Sequence, residues 1–166
     1  MIVVLSGNPR PHSRTLHLAE EVGAALAARL AQPVPHTIDV AALGPRLLQP
    51  ADPQVQDALD RLRRATVLVV ATPTYKATYT GALKVLLDQL PPQALRAAAA
   101  VTAVTAAAPA QAEATQRHLR ELLTELAATP VDPPLSVLEQ DLANAGRTAA
   151  EYVTTIGDAF TAAGVA

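Results

Sequence analysis

The 166-residue sequence contains no cysteine. Disulfides, thiolate nucleophiles and cysteine-ligated metals are therefore excluded outright. Tryptophan is also absent, and the only aromatics are three tyrosines and one phenylalanine. A tyrosine beside a motif is thus informative. Charge is sparse, at 17% of residues with a formal net charge of -2. A nucleic-acid binder usually carries a basic stripe, and none is present. No block of like charge marks a disordered tail either. No apolar run reaches bilayer length, because the stretch Ala97 to Ala110 is broken by threonines and Pro109. The start, Met1 to Leu5, lacks a basic region and is too short for a signal segment. These absences predict a soluble, cytoplasmic protein with neither a nucleic-acid nor a membrane partner. His12, His17, His36 and His118 are scattered, so no metal site is predicted. No side-chain nucleophile or acid–base pair stands out; Glu20-Glu21 and Glu121/Glu125 read as solvated helix faces.

What is present is apolar material for one core. Half the residues are hydrophobic, and the length suits a single domain over 1–166. Ile2 to Leu5 reads as a buried strand, ended by Ser6-Gly7-Asn8-Pro9. Leu18, Val22, Ala25 and Leu26 follow helical spacing to about Leu30, with Ser13 or Thr15 as the cap. His36 to Val40 is a weaker strand, and Leu43 to Pro53 reads as loop. Val55, Leu59 and Leu62 mark a second helix. Val67 to Val70 is a continuous apolar run, as in a strand buried on both faces. Leu83, Leu86, Leu87 and Leu90 mark a third helix. Ala97 to Thr105 alternates weakly as a fourth strand, and Leu119, Leu122, Leu123 and Leu126 line a fourth helix. Leu135 to Leu138 is a fifth strand. The last helix, Arg147 to Ala163, buries Tyr152 or Val153, together with Ile156 and Phe160. Strands alternating with helices predict a doubly wound five-stranded parallel sheet, helices on both faces.

In such sheets ligands bind beyond the carboxyl ends of the strands, where the strand order reverses. For order 2-1-3-4-5 that point lies between strands one and three. The two most unusual loops follow those strands. The first, Ser6 to Thr15, runs into a helix N-terminus, where backbone N–H groups and the dipole attract anions. Ser6, Ser13 and Thr15 supply hydroxyls. Arg10 and Arg14 supply forked cationic donors suited to phosphate oxygens. The competing reading is a solvated loop whose hydroxyls only cap the helix. There is no Gly-x-x-x-x-Gly-Lys and no Gly-x-Gly-x-x-Gly, which disfavours kinases and Rossmann dehydrogenases. The second loop, Thr72 to Gly81, holds Tyr75 and Tyr79, whose rings offer apolar area with polar tips. Its competing reading is a Pro-containing turn with tyrosines packed on neighbouring helices.

Together the loops resemble those of the NADPH-dependent FMN reductase family, which is flavodoxin-like in fold. The family's Ser-Gly-Ser-Pro-Arg followed by Ser-Arg-Ser or Ser-Arg-Thr stands here as Ser6-Gly7-Asn8-Pro9-Arg10 and Ser13-Arg14-Thr15. Its Thr-Pro-x-Tyr-Lys-x-x-Tyr-x-Gly-x-Leu-Lys-x-x-Leu-Asp fits Thr72 to Asp88. The likeness runs to about residue 130. It implies that Ser6, Asn8, Arg10, Ser13, Arg14 and Thr15 surround the FMN phosphate, and that Pro73, Thr74, Tyr75, Lys76 and Tyr79 line the ribityl chain and ring. It also implies NADPH or NADH as hydride donor, a homodimer or homotetramer, and a flavin-dependent monooxygenase as partner, as in alkanesulfonate monooxygenase systems. Two departures stand out. Ala106 and Ala107 occupy the place of a Gly-Gly pair that approaches the flavin ring, and alanine disfavours positive φ. Arg117 stands where the sulfonate-linked reductases place a tyrosine. The rival functions are a quinone or azo reductase on the same scaffold, an electron carrier (a class that tends to be strongly acidic) and a flavin-free binding protein.

Overall fold

The computed structural model describes residues 1–162. Three strands are buried at every position: β1 (Ile2–Ser6), β3 (Val67–Pro73) and β4 (Ala99–Ala106). Burial on both faces is the mark of central strands in a parallel sheet. β2 (His36–Asp39) lies at one edge, and the order is β2-β1-β3-β4-β5 with every pairing parallel.

The fifth position differs from the single strand read in the sequence. It is shared by β5 (Thr129–Pro130) and β6 (Leu135–Leu138), both paired with β4. Pro130, Pro133 and Pro134 have no N–H to donate, so one continuous ladder cannot form there. The supposed loop Leu43 to Pro53 also differs. It contains the end of α2 (Val40–Leu43) and a 3-10 turn over Gly44–Leu48. Asp39 starts α2 by accepting a hydrogen bond from the Ala41 amide at 3.1 Å, a local capping effect that hydrophobic spacing does not register.

The other helices are α1 (Arg14–Arg29), α3 (Pro53–Arg64), α4 (Gly81–Leu87), α5 (Pro109–Glu125) and α6 (Ala145–Ala162). The expected end of the last helix at Ala163 lies outside the described residues. The two-residue period of the strands divides the core. Val3, Leu5, Leu68 and Val70 face one layer with Leu59, Leu62, Leu86, Leu119 and Leu123. Ile2, Val4, Val67 and Val69 face the other with Leu18, Val22, Ile156 and Phe160. Tyr152 and Val153 are both buried. Tyr152 fits because its hydroxyl donates to the Pro133 carbonyl at 2.9 Å; burial pushes that hydroxyl well above its ordinary pKa. Among the described residues no helix is long and apolar enough to cross a membrane.

Candidate functional site at the carboxyl ends of β1 and β3

Because β1 pairs with β3, the loops that follow them leave the sheet side by side. They are also tied together. The Gly7 amide donates to the Ala71 carbonyl at 2.7 Å, extending the ladder past Ser6. The Thr80 hydroxyl donates to the Gly7 carbonyl. The same hydroxyl caps α4, accepting from the Leu83 amide at 3.2 Å. One threonine thus starts a helix and pins the neighbouring loop. Gly7 itself has no room for a side chain, since a Cβ there would lie 2.8 Å from Leu83 Cβ.

Each residue of the first loop has a defined place. Ser13 is the N-cap of α1, accepting from the Leu16 amide at 3.1 Å. The amides of Arg14 and Thr15, at the start of the helix, have no intrahelical partner and are free to donate to an anion. Asn8 shapes the loop: its Oδ1 accepts from the Arg10 amide at 3.0 Å and its Nδ2 donates to Thr15 Oγ1 at 3.2 Å. Thr15 Oγ1 in turn shares a 3.0 Å bond with Thr105 Oγ1 at the end of β4. The Thr15 hydroxyl therefore braces the loop from below. Ser6 is fully buried and its hydroxyl has no hydrogen-bond partner. Arg10 is exposed and forms no ion pair among the described residues. Arg14 is engaged, its Nη1 donating to the Glu139 carbonyl at 2.8 Å.

In the second loop, Pro73 is the buried last residue of β3. The Thr74 amide donates to the Thr105 carbonyl at 2.8 Å, and Thr74 Oγ1 accepts from Thr115 of α5 at 3.0 Å. Tyr75 and Thr78 exchange backbone bonds of 2.9 and 3.2 Å around Lys76-Ala77. Both central residues have positive φ, 52° and 65°. This two-residue reversal is one that Asn-Gly normally serves, so the Lys-Ala pair is strained. Replacing Ala77 by glycine should relieve part of that strain and raise stability by about 1 kcal/mol. The urea midpoint of the A77G variant checks this; an unchanged midpoint would mean that the turn relaxes in solution.

The two loops enclose a cavity of about 310 Å³. Asn8, Arg10, Ser13, Arg14, Thr15, Pro73 and Tyr75 line it; all seven are among the residues assigned to a ligand site from the sequence. Tyr75 also borders a second hollow of about 420 Å³, shared with Thr74, Lys76, Ala77 and Gln111. Four residues assigned to the site by sequence line neither cavity, the first being Ser6, buried as the last residue of β1. Tyr79 is partly buried against the core layer under α3 and α4. Ala106 is buried at the end of β4, and Ala107 is exposed; neither lines these cavities. Neither alanine has positive φ, so a methyl group costs no backbone strain at these positions.

Sequence reading missed Thr105, Glu139 and Leu142, which also line the first cavity. Thr105 and Glu139 follow the rule that ligands meet the carboxyl ends of strands, and applying it to strands four and five would have found them. His12 lines the cavity as well. Nearby, burial raises the Asp39 carboxyl above its ordinary value, against the opposing hydrogen bond from the Ala41 amide. Among the described residues no group of three His, Asp or Glu side chains is placed to hold a metal.

Comparison with known proteins bears on this arrangement. A family model described as NADPH-dependent FMN reductase matches residues 1–143. The NADH-dependent FMN reductase SfnF of Pseudomonas putida is 33% identical over 126 residues, covering 73% of this chain and 68% of its own. An FMN reductase (NADPH) of Pseudomonas aeruginosa is 32% identical over 151 residues, covering 86% and 79%. Among solved structures, the apo form of the NADH:FMN oxidoreductase EMOB superposes with a TM-score of 0.78 at 32% identity, covering 93% of this chain and 89% of that one. An archaeal flavodoxin, at 16% identity and a TM-score of 0.60 over 95% and 99% of the two chains, shares the fold alone. The match over residues 1–143, on a parallel sheet of order β2-β1-β3-β4-β5, shows that this chain belongs to the NADPH-dependent FMN reductase family.

Proposed function

We propose that this chain is an NAD(P)H-dependent FMN reductase that passes reduced FMN to a partner oxygenase, working as a homodimer or homotetramer. One observation carries the reading: an arginine with no ion pair among the described residues and a helix N-terminus converge on a cavity at the topological switch point, beside an exposed tyrosine. The donor set suits a phosphate monoester of about -2 charge. Arg10 would supply the charge, and the Arg14 and Thr15 amides of α1 the directed N–H bonds. Asn8, Thr15 and Thr105 hold that loop in shape before any ligand arrives, which lowers the ordering cost of binding. Pro73 and Tyr75 give the apolar wall on which a ring can lie.

Bound flavin supplies the electron-accepting ring. The chain has only to bind, orient and shield it. Ala106 and Ala107 lie outside positive φ, so the alanines in place of the Gly-Gly pair put no backbone strain against this reading. The relatives divide between NADH and NADPH in their names, so both donors belong in the test. Purified protein should oxidise NADH or NADPH in proportion to added FMN, faster than with a quinone or an azo dye as acceptor. Oxidation that ignores FMN but follows the quinone or dye would overturn the proposal.

A further inference from the structure

Glu139 is out of place in a cavity built for an anion. It opens the 3-10 segment Glu139–Asn144, directly after β6, and lines the same space as Arg10 and Ser13. Its backbone carbonyl accepts from Arg14 Nη1 at 2.8 Å, and its carboxylate Oε2 lies 3.5 Å from Arg14 Nη2. One of the cavity's two arginines is therefore already partnered by a carboxylate.

We propose that Glu139 competes with the flavin phosphate for Arg14 and so keeps FMN affinity low enough for the flavin to come and go. This rests on the flavin reading above. Both side chains are more than half exposed, 63% and 57%. An ion pair that exposed is weak and is broken at little cost, so it does not lock the site. Its effect is felt when a phosphate enters. The phosphate must take over Arg14 while standing beside a fixed negative charge, and like charges within a few ångströms repel. The result is a site that recognises phosphate without retaining it. A protein that supplies reduced FMN to another enzyme has to release it, and tight retention would defeat that purpose.

The test is Glu139→Gln. The substitution removes the charge but leaves the backbone carbonyl that positions Arg14. Titration with FMN should show affinity rising by about 5-fold or more, the scale of one like-charge contact at about 4 Å screened by bulk water. Riboflavin, which lacks the phosphate, should bind the E139Q and parent proteins equally. FMN dissociation followed by rapid mixing should slow by a similar factor. Unchanged or weaker FMN binding in E139Q would overturn the inference, since Glu139 would then be a bystander or a support for Arg14. An equal change for riboflavin would also overturn it, because the effect would not lie at the phosphate. A parent protein that binds neither flavin would refute the flavin reading itself, which is a different result from FMN binding that ignores residue 139.

Discussion

Replacing Arg10 and Arg14 together by alanine should weaken FMN binding by about two orders of magnitude and leave the fold intact. A hydrogen bond to a charged group contributes about 1.5–3 kcal/mol, and an exposed, salt-screened site places each arginine at the low end. Two such losses give roughly a hundredfold change. The stability cost should stay under about 1 kcal/mol, because the ion pair lost among the described residues is the exposed one between Arg14 and Glu139. The single variants should not be equal. Among the described residues Arg10 has no ion pair to give up, whereas Arg14 must first leave Glu139, so Arg10→Ala should cost more. Flavin-fluorescence titration with FMN and riboflavin reads all of this. Unchanged FMN affinity in the double variant would remove the phosphate from this loop.

Substituting Gly7 by alanine should lower stability by about 2 kcal/mol and impair the site as well. The new Cβ would stand 2.8 Å from Leu83 Cβ and 2.9 Å from its Cδ2. Cβ atoms are fixed by the backbone, so no rotamer change relieves the first contact, and overpacking of this kind typically costs 1–3 kcal/mol. Relief requires α4 or the loop to move. Either movement strains the bond from the Thr80 hydroxyl to the Gly7 carbonyl, and with it the alignment of the two ligand loops. A denaturation midpoint that falls together with FMN affinity would fit this account. A G7A variant that kept both would show that α4 is not seated where the structure puts it.

The fold was legible where burial is uniform and side chains are large. Val67 to Val70 announced a central strand, and Leu119 to Leu126 a helix face. A cap was legible where the hydroxyl stands next to the apolar pattern: Ser13 was one of two candidates for α1, and geometry chose it. What stayed hidden depends on tertiary partners. The two-residue strand Thr129–Pro130 exists only because β4 lies beside it. The short helical turns after β2 carry too few residues for a period to show.

The site follows the same division. The loop Ser6 to Thr15 could be read as anion-binding because hydroxyls, arginines and a helix start lie close in sequence. Glu139 lies 125 residues from Arg14, and no local pattern joins them. Tyr79 was drawn into the site by its neighbour Tyr75, yet it packs against the core. The tight reversal at Lys76-Ala77 sets Tyr75 apart from it, and positive φ in two residues that do not favour it left no trace in the sequence.

The alanines of β4 have a consequence for how this sequence can change over generations. Ala99 and Ala103 face one core layer, and Ala100 and Ala106 the other; each is at most 6% exposed. The leucines packed around them can be traded for isoleucine or methionine at modest cost. An alanine packed between helices and sheet has neither a smaller apolar substitute nor space for a larger one. Drift in this lineage should therefore run through the helices, with β4 nearly still. A strand whose alternation reads only weakly in the sequence is the one with the least freedom to be rewritten.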